Sequence, residues 1–184
     1  MAKKVLVTGG AGYIGSVLTR QLLDKGYNVR VFDNLMYGGE PIIDLLNLPN
    51  FEFVKGDIRN EADVRTAMDG IDCVAHLASI VGDPACAKQP ELARTTNFDG
   101  SKMLYTIANE MGVSKFVFAS TCSNYGKMED PEAFVTEESA TAPVSLYAET
   151  KVAVEEYLLS QPKTNTTKPT CLRFSTVYGL SLRP

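Results

Sequence analysis

A tyrosine and a lysine near the end of the sequence have the spacing of an acid–base pair. Tyr147 and Lys151 are four residues apart, so both lie on one face of a helix. Moving the pKa of a phenol from about 10 toward 7 costs about 4 kcal/mol. A nearby lysine cation and the positive charge of an oxidised nicotinamide can supply that free energy. With 8 Tyr and 11 Lys in the chain, about half a Tyr-x-x-x-Lys is expected by chance, so the pair indicates an active site only together with the residues around it.

A hydroxyl-rich segment is the first of these neighbours. Ser120, Thr121 and Ser123 directly follow a predicted strand. A hydroxyl at the carboxyl end of a parallel strand could hold a substrate oxygen beside the tyrosine. Thr121 is therefore a candidate catalytic residue, although an ordinary polar strand end has the same composition.

A glycine-rich turn near the N-terminus predicts a phosphate site. The strand Val5–Thr8 runs into a G-x-x-G-x-x-G motif made by Gly9, Gly12 and Gly15. Glycine lets the backbone turn tightly and approach a pyrophosphate, and the following helix offers free N–H groups. The strand before the motif and the helix and strand after it are the context that the motif requires. The alternative is a glycine-rich turn that binds nothing.

Carboxylates end the second and third predicted strands. Asp33 lies near the position of the ribose-binding acid of dinucleotide folds. A carboxylate there accepts hydrogen bonds from the ribose hydroxyls and repels a 2′-phosphate, so NAD is favoured over NADP. Asn34, which follows in place of an arginine, points the same way. Asp57 could bond the adenine amine while Ile58 packs on the ring, but Gly-Asp is also a common turn.

Short β-branched runs alternate with helical segments, which indicates βαβ units and a parallel sheet. The predicted strands are Val5–Thr8, Val29–Phe32, Phe51–Lys55, Cys73–His76, Phe116–Ser120 and Thr170–Phe174. The predicted helices are Tyr13–Lys25, Glu61–Met68, Glu91–Met111 and Ser145–Leu159, with a helical turn around Ile42–Leu46. Asp83–Pro90 and Lys127–Pro143 follow strand ends and are predicted to be active-site loops. His76, the only histidine, is predicted to be a core residue rather than a catalytic one.

Composition excludes several classes of protein. The 184 residues carry 18 basic and 22 acidic side chains, a formal charge of −4. This mild acidity, without a run of Lys or Arg, argues against nucleic-acid binding. No apolar stretch approaches the roughly 20 residues that span a bilayer, and none near the N-terminus is long enough for a signal peptide. A cytoplasmic protein is therefore expected.

The four cysteines have no metal-like spacing. Cys73, Cys86, Cys122 and Cys171 form no CxxC pair. They are therefore predicted to be small buried residues in a reducing compartment, and no metal site is expected.

Taken together, the motifs resemble one family. Their order and spacing are similar to those of the extended short-chain dehydrogenase/reductases, through Gly9–Gly15, Asp33, Asp57-Ile58, His76–Ala78, Asn97, Ser120–Gly126, Tyr147–Lys151 and Arg173–Gly179. The chain most resembles the NAD-dependent sugar-nucleotide epimerase/dehydratase group, which includes UDP-glucose 4-epimerase. The resemblance covers essentially all of the chain. It implies an α/β Rossmann fold, a doubly wound parallel sheet of order 3-2-1-4-5-6, with NAD as cofactor and a nucleotide sugar as substrate.

The resemblance also implies roles for single residues. Tyr147 would be the acid–base at the sugar hydroxyl, Lys151 would lower its pKa and bind the nicotinamide ribose, and Thr121 would bond the same sugar oxygen. The cofactor-binding residues would be Gly9, Gly12, Tyr13, Ile14, Gly15, Asp33, Asn34, Asp57, Ile58, Leu77, Ala78, Ser79, Asn97, Tyr147, Lys151 and Ser175. The substrate-binding residues would be Thr121, Ser123, Asn124 and Thr176. The helices that carry Asn97 and Tyr147 would form a homodimer interface.

Several positions depart from the family pattern, and these departures bear on which of the family's reactions the chain supports. Asn124 stands where Val is typical, and Thr176 replaces an Asn that often reaches the substrate. Cys122 and Ser123 stand where the 4,6-dehydratases carry Asp and Glu. Because Cys and Ser cannot supply the acid pair that eliminates water, 4,6-dehydration is disfavoured.

The favoured function is an NAD-dependent nucleotide-sugar epimerase acting at C4. In it Tyr147 removes a hydroxyl proton, and hydride passes to NAD and returns to the other face of the sugar. The alternatives are an NAD(P)H-dependent keto-sugar-nucleotide reductase and an NAD-binding module without turnover. Family members are usually longer, so residues 1–184 are expected to form the NAD-binding domain with the substrate domain largely missing. The cations that bind an anionic nucleotide sugar are expected in that missing part.

Overall fold

The computed structural model describes residues 3–127 and 134–183, and six strands of these residues form one parallel sheet. The strands are β1 Lys4–Thr8, β2 Asn28–Asp33, β3 Phe51–Lys55, β4 Cys73–His76, β5 Lys115–Thr121 and β6 Lys168–Phe174. They lie in the order β3-β2-β1-β4-β5-β6, which confirms the predicted doubly wound Rossmann sheet. In the centre of the sheet, Val5 pairs with Val29 on one side and with Cys73 on the other.

Six α-helices connect the strands in the described residues. They are α1 Tyr13–Asp24, α2 Glu61–Met68, α3 Asp83–Lys88, α4 Pro90–Arg94, α5 Ser101–Glu110 and α6 Leu146–Leu159. Side chains cap two of them, because Asn60 accepts from the backbone N–H groups of Ala62 and Asp63, and Ser145 accepts from that of Ala148. The predicted turn around Ile42–Leu46 is a 3-10 helix over Glu40–Leu45.

The prediction of a loop over Asp83–Pro90 is wrong for most of this segment. Residues Asp83–Lys88 form α3, which has Pro84 in its first turn and Lys88 in its last. Gly82 enters it with a φ of +87°, a conformation that glycine adopts without strain. Cys86 is fully buried on its inner side, so packing stabilises a helix that is too short for a clear periodicity. Of the second predicted loop, residues 128–133 lie outside the described residues, and Lys127 and 134–143 contain no helix or strand.

The predicted helix Glu91–Met111 is divided into three parts. It begins at Pro90 as α4, passes through a π-helical segment Thr95–Gly100, and continues as α5. Gly100 packs against Ile58, where an added Cβ would lie 3.0 Å from Cγ1 of that side chain. The π-helical segment holds Asn97 in the interior, an arrangement common where a helix passes a functional site.

The two faces of the sheet are covered differently. On one face, Leu6, Phe116 and Phe118 pack in a large cluster with α2, α5 and α6. On the other face, Val7 and Val31 pack with α1 and the 3-10 helix. Between α1 and β6 this second face bears a groove of about 460 Å³, and no helix of the described residues covers it. We call it the apolar groove, and its sheet side is lined by Cys73, Ala75, Val117, Ala119, Leu172 and Phe174.

His76 is a buried core residue with both ring nitrogens bonded. Its Nδ1 lies 2.7 Å from Oγ1 of Thr8, and its Nε2 lies 2.8 Å from Oγ of Ser101. Since Ser101 donates its hydroxyl to the carbonyl of Asn97, His76 Nε2 donates and Nδ1 accepts. Burial, reinforced by the charge of Lys151, lowers the pKa of His76 to about 3, so the ring is neutral.

The structure confirms only part of the prediction that the cysteines are buried. Cys86 is buried, Cys73 and Cys171 are half-buried, and Cys122 is exposed just after β5. All four are free thiols. No helix in the described ranges is both long enough and apolar enough to cross a membrane.

Candidate active site

The glycine-rich turn between β1 and α1 has the close backbone packing that its sequence predicts. Gly9 has a φ of +70° and lies against the backbone of Leu77 and Ala78, and a Cβ on Gly15 would overlap the carbonyl oxygen of Gly9. Across the described residues, the backbone N–H groups at the start of α1, on Tyr13, Ile14 and Gly15, have no hydrogen-bond acceptor. Such free donors at a helix N-terminus favour an anionic ligand.

Asp33 at the end of β2 is fixed by backbone donors. Its Oδ2 accepts from the N–H of Ala11 at 3.1 Å, and its Oδ1 accepts from that of Leu35 at 2.8 Å. The carboxylate is thereby tied to the glycine turn, and each oxygen retains a lone pair for a ribose hydroxyl. Asp57 is held differently, because the guanidinium and backbone N–H of Arg59 bond it and lower the pKa of the Asp57 carboxyl.

Tyr147 and Lys151 lie on α6 beside the end of β5. The Nζ of Lys151 is 5.7 Å from the centre of the Tyr147 ring and 4.6 Å from that of Phe118. It donates a 2.9 Å hydrogen bond to the carbonyl of Ala119. Thr121 accepts from the backbone N–H of Ser123 at 3.1 Å, which orients its hydroxyl at the strand end.

The protein alone raises the pKa of Tyr147, contrary to the lowering expected from the lysine. Burial raises it to about 12, and nearby Cys86, Asp83 and Cys122 act in the same direction. Burial also lowers the pKa of Lys151 to about 8, which weakens the cation that was expected to stabilise a phenolate. A low pKa for Tyr147 therefore requires a further positive charge, such as that of an oxidised nicotinamide.

The predicted cofactor-binding residues and the predicted catalytic residues line the same cavity, which has a volume of about 530 Å³. Of the predicted cofactor residues, those that line it are Gly9, Gly12, Tyr13, Ile14, Gly15, Asp33, Asn34, Asp57, Ile58, Leu77, Ala78, Ser79, Tyr147, Lys151 and Ser175, and Thr121 lines it as well. The cavity follows the carboxyl ends of the strands, where parallel α/β sheets bind ligands. In the described ranges, no group of three His, Cys, Asp or Glu side chains is placed to hold a metal ion.

Four predicted site residues do not line this cavity. Asn97 is buried and supports the wall from behind, since its amide bonds Ser79 and the backbone of Ile80. Asn124 is fully buried, and its amide nitrogen donates to Ser120 and Glu155. Ser123 and Thr176 are exposed outside the cavity.

Several residues that line the cavity were not among the predicted site residues, and one of them, Arg183, is a cation. Tyr37 and Arg183 line the cavity near the glycine turn, and the guanidinium carbon of Arg183 lies 4.2 Å from the centre of the Tyr37 ring. The expectation that basic groups near the site belong to another part of the protein is thus incomplete. Residues 37 and 183 are far apart in sequence, and neither lies in a motif, so only the fold brings them together.

The fold and the cavity together define a dinucleotide-binding Rossmann protein with a Tyr/Lys pair at its chemical end. The sequence model of the NAD dependent epimerase/dehydratase family matches residues 5–184. The chain belongs to this family, which confirms the resemblance drawn from the motifs. NAD is the cofactor for which the family is named, in agreement with the cavity's glycine turn and Asp33.

Relatives within this family carry several activities. A UDP-glucose 4-epimerase of Lactobacillus helveticus is 34% identical over 97% of this chain and 53% of its own length. The structure of the UDP-glucose 4-epimerase of Thermus thermophilus in complex with NAD superposes with a TM-score of 0.83, at 32% identity over 92% of this chain and 54% of that one. DesIV, a dTDP-glucose 4,6-dehydratase from Streptomyces venezuelae, superposes with a TM-score of 0.82, at 30% identity over 91% of this chain and 55% of that one. The chain thus spans about half the length of these relatives.

Proposed function

We propose that this chain is the cofactor-binding and catalytic part of an NAD-dependent nucleotide-sugar epimerase that acts at C4. The observation that carries the proposal is the single cavity that runs from the glycine turn and Asp33 to Thr121, Tyr147 and Lys151. Similarity to UDP-glucose 4-epimerases supports it. A cofactor placed with its diphosphate at the turn would extend toward the Tyr/Lys pair.

The proposed roles follow from positions in the cavity. When bound, NAD supplies the hydride acceptor and donor. Tyr147 takes the proton of the sugar hydroxyl as that carbon is oxidised and returns it on reduction. Thr121 holds the same oxygen through its oriented hydroxyl. Lys151 binds the nicotinamide ribose, and its ammonium, fixed by the Ala119 carbonyl, stabilises the Tyr147 phenolate.

Two other chemistries are weighed against epimerisation. A one-way keto-sugar-nucleotide reductase would use the same three residues and differs in its consumption of NADH. Dehydration of the kind carried out by 4,6-dehydratases requires an acid pair, and Cys122 and Ser123 next to Thr121 supply none. We therefore retain reduction as the second candidate and not dehydration.

We further propose that substrate binding needs a domain that residues 1–184 do not include. Ser175 and Val177, in an exposed segment, line the cavity, and the chain spans about half the length of its relatives. Residues 1–184 then bind NAD but turn over sugars weakly or not at all. The helices around Asn97 and Tyr147 are the proposed homodimer interface.

The test is incubation of the purified protein, in its longest encoded form and as residues 1–184, with a panel of nucleotide sugars. Epimer formation without added NAD(H), followed by NMR, is the expected result for the longer form.

Tyr147→Phe should lower turnover by about 10²–10⁴-fold, while Tyr157→Phe, on the same helix but outside the cavity, serves as the matched control. Stoichiometric NADH consumption with a 4-keto sugar and no epimer would overturn the proposal. Rapid epimerisation by residues 1–184 would contradict the need for a further domain.

A further inference from the structure

Arg183 places a positive charge beside the glycine turn. Its side chain lines the same cavity as Gly12, and a Cβ built on Gly12 would lie 3.8 Å from Nη1 of Arg183. Gly12 directly precedes Tyr13 and Ile14, whose N–H groups at the start of α1 are free, so the guanidinium lies close to this helix N-terminus. This part of the cavity is the one that suits a diphosphate.

Two contacts hold the arginine in this position. The guanidinium carbon lies over the Tyr37 ring, 4.2 Å from its centre, and makes a cation–π contact with it. The chain before it is fastened to α1, because Ser181 Oγ donates to the Tyr13 carbonyl at 2.9 Å and accepts from the Arg183 N–H at 3.2 Å. Tyr13 also donates its hydroxyl to the carbonyl of Gly179.

The charge of Arg183 is uncompensated by any carboxylate in the described ranges. Five other arginines of the chain form ion pairs with Asp or Glu, namely Arg20, Arg30, Arg59, Arg65 and Arg173. Arg183 forms none with residues 3–127 or 134–183, and the first turn of α1 contains no acidic residue. The guanidinium is half-buried, lies over an aromatic ring and lines the cavity. A guanidinium held in this way is suited to bind an anion through two parallel hydrogen bonds.

We infer that Arg183 is a direct ligand of the cofactor's diphosphate and closes the glycine turn from the opposite side. The N–H groups of the turn bind one face of the diphosphate, and the guanidinium binds the other. Tyr37 holds the guanidinium in place before the ligand arrives. The inference rests on the family's cofactor and not on the sugar reaction, so it can fail or hold independently of the proposed epimerisation.

The test measures ligand affinity and not activity. Titration calorimetry of the 184-residue chain with NADH, NADPH, ADP and adenosine compares the unchanged sequence with Arg183→Ala. The control is Arg65→Ala, which removes the same charge from α2, away from the cavity. Arg183→Ala is expected to weaken NADH and ADP by about tenfold, to leave adenosine unchanged, and to flatten the salt dependence of ADP binding. The unfolding temperature without ligand, measured for each variant, separates lost binding from lost folding.

Each of the following outcomes would overturn the inference. One is equal weakening of adenosine and ADP, which would place the arginine on the nucleoside. The second is an unchanged affinity for ADP in Arg183→Ala, or no measurable ADP binding by the unchanged chain. The third is a selective loss of NADPH binding with NADH unaffected, which would place Arg183 at the 2′ position of the ribose. Arg183→Lys should recover only part of the affinity, because an ammonium keeps the charge without the fork or the stacking.

Discussion

At the scale of single residues, hydrogen-bond partners decide what a carboxylate or an imidazole can do. Asp33 is oriented by the N–H groups of Ala11 and Leu35, so its charge is held at the edge of the cavity. His76 is enclosed by Thr8 and Ser101, so it serves the core although it lies on a strand that leads to the site. The sequence predicted His76 to be a core residue, which its burial confirms, whereas Asp33 lines the cavity and stays a predicted cofactor ligand.

Asp33→Asn should reduce the preference for NADH over NADPH by about tenfold, or about 1.4 kcal/mol. The amide keeps an acceptor for the backbone but loses the charge that repels a 2′-phosphate. Fluorescence titration with both cofactors measures the ratio. Asp24→Asn, an exposed position at the end of α1, makes the same change of charge and should leave the ratio as it is. An unaltered ratio in Asp33→Asn would show that Asp33 does not select the cofactor.

His76 should make the fold sensitive to mild acid. Its pKa is about 3 in the folded chain against an ordinary value of 6.5, so below pH 6.5 the unfolded chain binds a proton that the folded chain excludes. The free energy of unfolding should then fall by about 1.4 kcal/mol per pH unit as pH decreases from 6.5 toward 5. Urea unfolding at several pH values measures this slope. His76→Gln should show a shallower slope, and equal slopes in the two proteins would contradict the assignment.

At the scale of elements, a buried ion pair joins the catalytic helix to the last strand. Glu155 on α6 accepts two bonds from Nε and Nη2 of Arg173 on β6, and Asn124 donates to the same carboxylate. Arg173 also donates to the hydroxyl of Tyr125. This contact sets the position of the helix that carries Tyr147 and Lys151. It also explains why Asn124 faces inward instead of toward the cavity.

Arg173→Leu should destabilise the fold by about 3 kcal/mol, because it leaves the carboxylate of Glu155 buried and unpaired. The double variant Glu155→Leu/Arg173→Leu should lose less than the single one, since no charge then remains in the interior. Urea unfolding of Arg173→Leu, Glu155→Leu and the double variant provides the comparison, with Arg65→Leu, which breaks exposed ion pairs only, as the control. A double variant as unstable as the sum of the single ones would show that the pair is not coupled.

At the scale of the whole molecule, the sheet buries its two faces unequally. The face under α2, α5 and α6 is closed, whereas the apolar groove leaves Leu172 39% exposed between α1 and β6. Parallel sheets are normally covered on both faces. The isolated chain therefore carries an apolar surface that a dye or another molecule can reach.

The 184-residue chain should bind the dye ANS under conditions in which it is folded. The apolar groove is the expected site, so Leu172→Thr, which keeps a strand-forming residue but removes apolar area, should lower the fluorescence. Leu159→Thr, an exposed position on α6 outside the groove, is the control and should change it little. Fluorescence titration at constant protein concentration measures the effect. Equal binding by all three proteins would locate the dye elsewhere.

The sequence alone determined the parts that are local. Short β-branched runs predicted all six strands to within two residues, and the motifs predicted the glycines, Asp33, Tyr147 and Lys151 that line the cavity. The family resemblance added Leu77, Ala78, Ser79 and Ser175. These features depend on contacts between residues near in sequence or on the fixed geometry of a βαβ unit. Short α3 and the π-helical segment were missed, because packing against α6 rather than local periodicity stabilises them.

Only the tertiary structure decided which way the remaining side chains face. Asn124 turns into the core, where its amide donates to Glu155 on another element, and burial raises the pKa of Tyr147. Arg183 reaches the glycine turn because the chain after β6 returns to α1. Burial and long-range contacts are properties of the assembled chain, so a linear motif specifies the residue types of the site but not their electrostatics.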